Sequence, residues 1–369
     1  MLSGIRPHAA RSDDPRVEAA ESLIARLTER IETVLRLLIP AGHPVALIGF
    51  PFYTNVGDSA IWLGEMAYLR RNRNRIVYAC HPSSYSPDEA RRRIGEALIL
   101  LTGGGNFGDL YPENQRLRER VIADFPDRRI VQLSQTIWFT EKSELERARA
   151  IVEGHPDLTL VARDARTLEL AAGQFDAPVV LCPDMAFALG PLPRPRRPAR
   201  EVVWLARSDA ESATPRIPTA PEVEVVDWLG DERWESRLPL AGPVMRRAAP
   251  RIRAAVRRPP RAISASPPLL LSLYNLHARA RLAYGSGVLG RGRTAVTDRL
   301  HGHILCTLLG IPHALLDNSY GKVASFHTTW TEDLDLVRWA HDADEALRFA
   351  SELGAESRGR EPGGEGPEK

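Results

Sequence analysis

The sequence has few cysteines, few lysines, no long apolar run and almost no net charge. Its three cysteines (Cys80, Cys182, Cys306) are far apart in apolar segments, which excludes a disulfide framework and predicts buried free thiols in a reducing compartment. No run approaches the roughly 20 apolar residues that cross a bilayer, and no signal peptide opens the chain. We therefore expect a cytoplasmic protein.

The charge balance excludes a general affinity for nucleic acid. The formal net charge is +2 over 369 residues, and nearly all basic residues are arginines, with lysine only at positions 142, 322 and 369. Hydrophobic residues make up 43% of the chain and charged residues 26%, which is ordinary for a globular protein. The length suffices for two domains with a core each.

Short apolar runs alternate with helical patterns along the chain. An amphipathic helix over 17–38 is followed by strand, polar turn and helix in repeated units, which is typical of a doubly wound parallel α/β sheet. Residues 1–40 are expected to form a disordered segment and a helix, and 41–190 the first domain. A Pro/Arg-rich linker at 191–200 leads to a second domain at 201–353, and 354–369 is expected to be a disordered tail.

Polar turns follow several predicted strands, at 55–58, 103–106, 134–136, 163–164, 299–301 and 318–322. Carboxyl ends of parallel strands meet at one edge, which is where ligands bind in open sheets. Arg299 and His301 come between a buried strand at 294–297 and a short apolar helix at 303–309. This pair predicts a site that holds a small anion and supplies a proton, whereas His303 lies within the helix and is expected to pack.

The other turns leave alternatives open. Gly103–Gly105 lacks the spacing of a Walker loop, so it forms either a ligand-contacting backbone or a tight turn. Asp58 binds hydroxyls or caps a helix, and the cap is favoured. Arg163 needs Asp164, another acid or a ligand carboxylate as partner. Asp184 is expected to be structural, and Lys322 either binds a phosphate or is a solvated surface residue.

Taken together and in order, these motifs resemble those of the polysaccharide pyruvyl transferase family. They are N-V-G-D at 55–58, T-G-G-G-N at 102–106, S-Q-T at 134–136, A-R-D at 162–164, C-P-D at 182–184, T-D-R-L-H-G-H at 297–303 and D-N-S-Y-G-K at 317–322. The match extends from about residue 45 to 330, which is most of the chain.

The resemblance implies two Rossmann-like domains facing across a cleft, as in B-type glycosyltransferases, with 41–190 on the acceptor side and 201–353 on the donor side. It implies transfer of an enolpyruvyl group from phosphoenolpyruvate to a sugar, giving a pyruvate ketal and phosphate, without a metal or cofactor. The implied residues are His301 and Arg299 for catalysis; Arg163, Arg299, Leu300 and Lys322 for the donor; and Asn55, Asp58, Gly104, Gly105, Asn106, Ser134 and Gln135 for the acceptor or cleft.

Two other functions fit the same sequence, namely a nucleotide-sugar glycosyltransferase and a non-catalytic subunit of a polysaccharide assembly complex. Residues 207–290 carry no recognisable acceptor signature, so the acceptor sugar, the catalytic base and the oligomeric state are not determined. A lipid-linked acceptor would place the enzyme at the inner face of the membrane. The Arg-rich stretch at 246–262 would then approach an anionic surface.

Overall fold

The computed structural model of the chain describes residues 14–195, 197–209, 211–213, 217, 220–229 and 267–360. The first half contains helices α1 (Pro15–Leu38), α2 (Val56–Arg71), α3 (Pro87–Ile94), α4 (Pro112–Asp124), α5 (Lys142–Glu153) and α6 (Ala165–Gln174). Its strands are β1 (Val45–Ile48), β2 (Ile76–Cys80), β3 (Leu98–Leu101), β4 (Gly104–Gly108), β5 (Ile130–Trp138), β6 (Leu158–Ala162) and β7 (Val179–Leu181). Short 3₁₀ turns lie at Pro82–Ser84 and Met185–Leu189.

The second half has the same alternation of elements. Its strands are β8 (Arg200–Leu205), β9 (Val223–Val226), β10 (Gly292–Thr297), β11 (His313–Leu315) and β12 (Val337–Trp339). Its helices are α7 (Pro267–Leu289), α8 (Leu300–Leu308), α9 (Lys322–Trp330) and α10 (Ala343–Arg360). The protein is thus an α/β protein with two sheets.

Both sheets are parallel, and the five strands of the second repeat the order of the first five along the first sheet. The first runs β2-β1-β3-β5-β6-β7, with β4 added beside β5, and the second runs β9-β8-β10-β11-β12. In each sheet the second strand in the chain pairs with one side of the first strand, and the third strand pairs with the other side. The topological switch points therefore lie between β1 and β3 and between β8 and β10, where the strands' carboxyl ends leave a crevice for a ligand.

Helix α1 shows how the sequence sets a local element. Asp14 caps the helix by accepting a hydrogen bond from the Arg16 amide at 3.0 Å, and Pro15 occupies the first turn, where its missing N–H costs nothing. The apolar residues of one face, including Leu27 and Ile31, are buried. This helix confirms the amphipathic pattern predicted from the sequence.

One apolar cluster joins the two halves. Helix α7 lies before the strands β10 to β12 in the chain, yet it packs on α2 and on the segment after β1. The Phe50 and Tyr274 rings stack with centroids 3.9 Å apart, and Trp62 donates a hydrogen bond from Nε1 to Asn275 Oδ1 at 3.0 Å. This shared core fixes the two switch points relative to each other.

Several sequence-based expectations are corrected. The predicted turn at 134–136 lies inside β5, which continues to Trp138, and the predicted glycine turn opens into β4. The predictions missed β9 and β12 because both are short strands, the first in the least legible part of the sequence. The tail expected to be disordered from residue 354 is helical as far as Arg360. Residues 1–13, 361–369 and the Arg-rich stretch 246–262 lie outside the described residues.

Two further expectations concern the cysteines and membrane-spanning helices. Cys80, Cys182 and Cys306 are buried free thiols, which confirms the prediction. Within the ranges described above, no helix is both long and apolar enough to cross a membrane.

Candidate active site

A cavity of about 470 Å³ lies where the two switch points meet. The first sheet contributes residues that follow β1 and β3, and the second sheet contributes residues that follow β8 and β10. The polar residues among its lining are Tyr53, Thr54, Asn55, Asp58, His81, Asn106, Tyr111, Glu113, Asn114 and Arg163 from the first half and Arg207, Asp209, Glu211, Arg299, His301 and Lys322 from the second. A pocket at paired switch points is where this architecture is expected to bind a ligand.

Asn55 and Asp58 lie at the start of α2. Asn55 is the helix cap, because its side-chain oxygen accepts a hydrogen bond from the Gly57 amide at 3.1 Å. The Asn55 amide group also donates to Asp58 Oδ2 at 2.7 Å. The favoured interpretation of Asp58 as the cap is therefore wrong, and its carboxylate lines the cavity instead. Burial raises the pKa of Asp58, against the opposing effect of His301 and Arg163.

His301 occupies the first turn of α8 and reaches across to the first half. Its ring lies against Gly57, where a Cβ atom would come within 2.2 Å of the His301 Cγ, so only glycine leaves room for the imidazole. His301 Nε2 lies 3.4 Å from Asp184 Oδ2. Although burial raises the pKa of Asp184, His301 and Arg163 beside it lower the pKa to about 2. Asp184 is thus an ionised partner for the imidazole.

Arg163 follows β6 and is buried, with 1% of its surface exposed. Its Nε donates to Thr136 Oγ1 at 2.7 Å and its Nη1 to Asp184 Oδ2 at 2.9 Å. Its Nη2 lies 3.0 Å from the position that a Cβ would occupy at Gly105. The sequence left three partners open for Arg163, and the structure shows an acid other than Asp164, namely Asp184. The Asp164 side chain instead caps α6.

Arg299 is the cap residue of α8, and its guanidinium is held within the second half. Its Nη2 donates to both carboxylate oxygens of Asp227, at 2.8 and 2.9 Å. Its Nη1 donates to Asp209 at 3.4 Å and its Nε to the Ala206 carbonyl at 3.2 Å. Arg299 and Leu300 line the cavity. Their role in donor binding stays a prediction.

Lys322 starts α9 and points into the cavity, so it is not a solvated surface lysine. It is 8% exposed and pairs with the Glu211 carboxylate. Burial lowers the pKa of Lys322 to about 8, although Glu211 raises it. Its Nζ lies 3.8 Å from the Cβ position of Gly105. Gly105, which lines the cavity, therefore lies close to two cations, Arg163 and Lys322.

Three predicted cleft residues lie outside the cavity lining. Ser134 and Gln135 belong to β5 and are buried under β4, where Gln135 donates to the Thr102 carbonyl and to Asn106 Oδ1 at 3.0 Å. Gly104 lies beside Asp58, whose Oδ1 would be 3.2 Å from a Cβ at that position. These three residues lie behind the cavity lining and support it. Ser134 and Gln135 do so because β5 continues beyond its apolar run.

Sequence reasoning missed the polar residues that follow β8. Arg207, Asp209 and Glu211 line the cavity, as do Tyr53 and Tyr111. The available signal was the position of Arg207 and Asp209 directly after the first strand of the second sheet, which mirrors that of Asn55 and Asp58 after β1. In the part of the chain that the structure describes, no group of three acidic, histidine or cysteine side chains is arranged to hold a metal ion.

Comparison with known proteins bears on this site. The family model for polysaccharide pyruvyl transferases matches residues 55–320. Pyruvyl transferase 1 of Schizosaccharomyces pombe is 33% identical over 339 residues, which cover 86% of this chain and 77% of that protein. The Bacillus subtilis protein EpsO is 28% identical over 328 residues, or 87% of this chain and 95% of its own.

A solved structure supports the fold. A crystal structure of an uncharacterised protein from Klebsiella pneumoniae superposes with a TM-score of 0.55 at 17% identity, covering 85% of this chain and 98% of that one. At this identity the likeness extends to the fold alone.

Proposed function

Because this chain belongs to the polysaccharide pyruvyl transferase family, we propose that it transfers the enolpyruvyl group of phosphoenolpyruvate to a sugar. The acceptor is a sugar of a cell-surface or extracellular polysaccharide, or its precursor, and the products are a pyruvate ketal and phosphate. The observation that carries this proposal is the His301–Asp184 pair at the wall of a cavity that also holds the Arg163 and Lys322 cations.

The donor is an anion, and the part of the cavity lined by Gly105 suits one of its charged groups. Arg163 Nη2 and Lys322 Nζ both lie close to Gly105 there. A guanidinium and an ammonium bind a carboxylate or phosphate more strongly in a buried site than in water. We assign donor binding to Arg163 and Lys322, with Arg299 and Leu300 holding the start of α8 beside them.

His301 serves as the general acid. Protonation of the donor's methylene carbon makes its C2 electrophilic, and imidazole is the side chain that most often supplies a proton near neutral pH. The ionised Asp184 lies 3.4 Å from Nε2 and orients the ring for transfer. Gly57 fixes the ring from the opposite side.

Asp58 faces the cavity from the first half and serves as the base. The first sugar hydroxyl adds to C2 while Asp58 takes its proton, and the leaving phosphate then takes that proton from Asp58. The second hydroxyl adds to C2 and returns a proton to His301. Of the two hydroxyl protons, one leaves with phosphate. The other restores to His301 the proton that it gave to the methyl group. Burial, which raises the pKa of Asp58, makes it a stronger base.

The first test is thermal stabilisation by phosphoenolpyruvate compared with a panel of nucleotide sugars. A ligand at about a hundredfold excess over its Kd stabilises the fold by roughly 2.7 kcal/mol. We expect a shift with phosphoenolpyruvate that is lost in Lys322→Met. A shift only with a nucleotide sugar would instead indicate the glycosyltransferase.

The second test is product formation with candidate glycans. Phosphate release should accompany a new methyl signal of the ketal in the proton NMR spectrum of the glycan, and both should vanish in His301→Gln. Phosphate release without the methyl signal would contradict transfer. Binding without any turnover on a broad set of glycans would favour the non-catalytic subunit.

The finer architecture and compartment also belong to this proposal. The matching order of five strands in the two sheets and a cavity between their switch points support two Rossmann-like domains facing across a cleft. The buried free cysteines support a cytoplasmic location, at the inner face of the membrane if the acceptor is lipid-linked.

A further inference from the structure

Each arginine and lysine that lines the cavity is paired with an acid of the protein. The pairs are Arg163 with Asp184, Arg207 with Asp209 and Glu211, Arg299 with Asp209 and Asp227, and Lys322 with Glu211. An anionic ligand therefore does not meet an unneutralised cluster of cations. It has to compete with a carboxylate that is already in place.

The Glu211 carboxylate has the surroundings of a bound anion. Tyr111 donates to its Oε1 at 2.8 Å, Arg207 Nη2 lies 2.9 Å from its Oε2, and Asn318 Nδ2 donates to Oε2 at 3.3 Å. Lys322 Nζ is the fourth donor to this carboxylate. We call Tyr111, Arg207, Asn318 and Lys322 the Glu211 cage. Its members come from both halves of the chain and converge on a single anionic group.

Glu211 differs from Asp184, another buried acid near the cavity. Asp184 is fully buried, accepts a hydrogen bond from the Ala186 amide and thereby caps the 3₁₀ turn that follows it. Glu211 lines the cavity and has a longer side chain, so its carboxylate can leave the cage by rotation about side-chain bonds. Asp184 is thus held in the protein interior, whereas the Glu211 side chain has the length and position to exchange with a ligand.

We propose that the Glu211 cage is a phosphate subsite and that the Glu211 carboxylate is its occupant when no ligand is bound. The identity of the ligand, the phosphoryl group of the donor or the released phosphate, rests on the proposed function. A phosphoryl group presents three acceptor oxygens to the four donors of the cage, whereas the Glu211 carboxylate presents two. The subsite lies next to Gly105, because Lys322 is close to both.

A permanent clasp is the competing role. Tyr111 belongs to the first half and Glu211 to the second, so their hydrogen bond also joins the halves. In a clasp the carboxylate stays in place, and its removal weakens the structure without freeing a site. The two roles predict opposite effects on phosphate affinity.

The experiment is calorimetric titration of the full-length protein with inorganic phosphate at about pH 7, where Lys322, with a pKa of about 8, is mostly charged and a large share of the phosphate is dianionic. The variants are Glu211→Gln and the matched control Glu113→Gln. Glu113 is an exposed residue of the same cavity wall, and its substitution removes the same charge outside the cage. We expect Glu211→Gln to bind phosphate at least about tenfold more tightly than the wild type. Glu113→Gln should change the affinity by less than about twofold.

An unchanged or weaker phosphate affinity in Glu211→Gln would overturn the proposal. Glu211→Asp provides a second variant that retains the charge and shortens the side chain, and it should tighten phosphate binding by a smaller factor. In a Glu211→Gln/Lys322→Met double variant the gain should vanish. Phosphate binding requires neither acceptor nor transfer, so tight binding without turnover would count against the proposed function and leave the subsite in place.

Discussion

Helix α8 carries two histidines with opposite surroundings. His301 and His303 are separated by one glycine, and a separation of two residues on an α-helix places side chains about 200° apart. His301 faces the cavity and an ionised carboxylate, Asp184. His303 faces the interior of the second half and is fully buried.

His303 belongs to a chain of three buried histidines. His313 Nδ1 lies 2.8 Å from the Ile311 carbonyl and so carries the proton, which leaves its Nε2 to accept from His303 Nδ1 at 2.7 Å. His303 Nε2 then accepts from Thr331 Oγ1 at 2.9 Å, and Thr331 Oγ1 accepts from His327 Nδ1 at 2.9 Å. The backbone carbonyl at one end thereby sets the tautomer of all three neutral rings.

The comparison shows that surroundings, more than residue type, decide what a histidine does. Burial lowers the pKa of His303 well below its ordinary value and that of His313 to about 4. These rings stay neutral and hold α8, β11 and α9 together. His301 has an ionised acid 3.4 Å from its Nε2 and faces the cavity, where we propose that it acts as a general acid. The predicted packing role of His303 is confirmed.

The largest expected effect follows from exchanging the histidines one at a time. His301→Gln should lower turnover by about 10²–10⁴-fold, the usual contribution of a general acid, while phosphoenolpyruvate still stabilises the fold. His303→Gln should keep the turnover of each folded molecule and lower the free energy of unfolding by about 1–3 kcal/mol. Steady-state kinetics and urea unfolding of both variants check this. Comparable loss of turnover in folded His303→Gln would break the comparison.

Arg163→Met tests Asp184, the acid whose position beside His301 distinguishes that histidine from His303. The substitution leaves the fully buried Asp184 without its guanidinium partner, so the free energy of unfolding should fall by about 3–5 kcal/mol. The Arg163→Met/Asp184→Asn double variant should recover part of this loss, because no buried charge then lacks its partner. Equal losses in the single and double variants would show that the cost is one of packing. Urea unfolding measures both.

Gly57→Ala tests the fit of the His301 ring. The new Cβ would lie 2.2 Å from the His301 Cγ, so the imidazole or α2 has to move, at a cost of about 1–3 kcal/mol. Turnover should fall with it, because the imidazole loses its place beside Asp184. Gly287→Ala in α7 is the matched control, since no atom lies within 4 Å of its Cβ position. It should stabilise the helix by up to about 1 kcal/mol and leave turnover unchanged.

Lowering the pH should reduce the free energy of unfolding, because buried histidines resist protonation in the folded protein. Because the folded-state pKa of His313 is about 4, the unfolded chain takes up a proton below its ordinary pKa of about 6.5 and the folded chain does not. Stability is therefore fully present above about pH 6.5 and falls by up to about 1.4 kcal/mol per pH unit for each such histidine until the folded pKa is reached. His313→Leu should reduce this slope.

The matched control for the acid prediction is Leu315→Ala on the same strand, β11. It removes buried apolar volume and should lower stability at every pH without altering the slope. Urea unfolding at several pH values between about 4 and 7 measures both slopes. A slope that His313→Leu leaves unchanged would place the acid sensitivity elsewhere in the molecule.

Most of the alternation of strands and helices in the first half was predictable, because buried parallel strands are continuous apolar runs and helix α1 repeats its apolar residues at helical spacing. The limits of β4 and β5 were not predictable. Gln132 and Gln135 are polar residues inside a strand, and only their buried hydrogen bonds to neighbouring backbone account for them.

The sequence by itself determined the family, the α/β class and the strand-to-helix corners that hold Asn55, Arg163, His301 and Lys322, since periodicity and motif order are local properties. The tertiary structure decided which of these side chains share a cavity and which acid pairs with each cation. Asp184 meets Arg163 and His301, and Glu211 meets Lys322, because the fold brings residues between 21 and more than a hundred positions apart into contact. Charge pairing depends on distance in space, which local sequence does not encode.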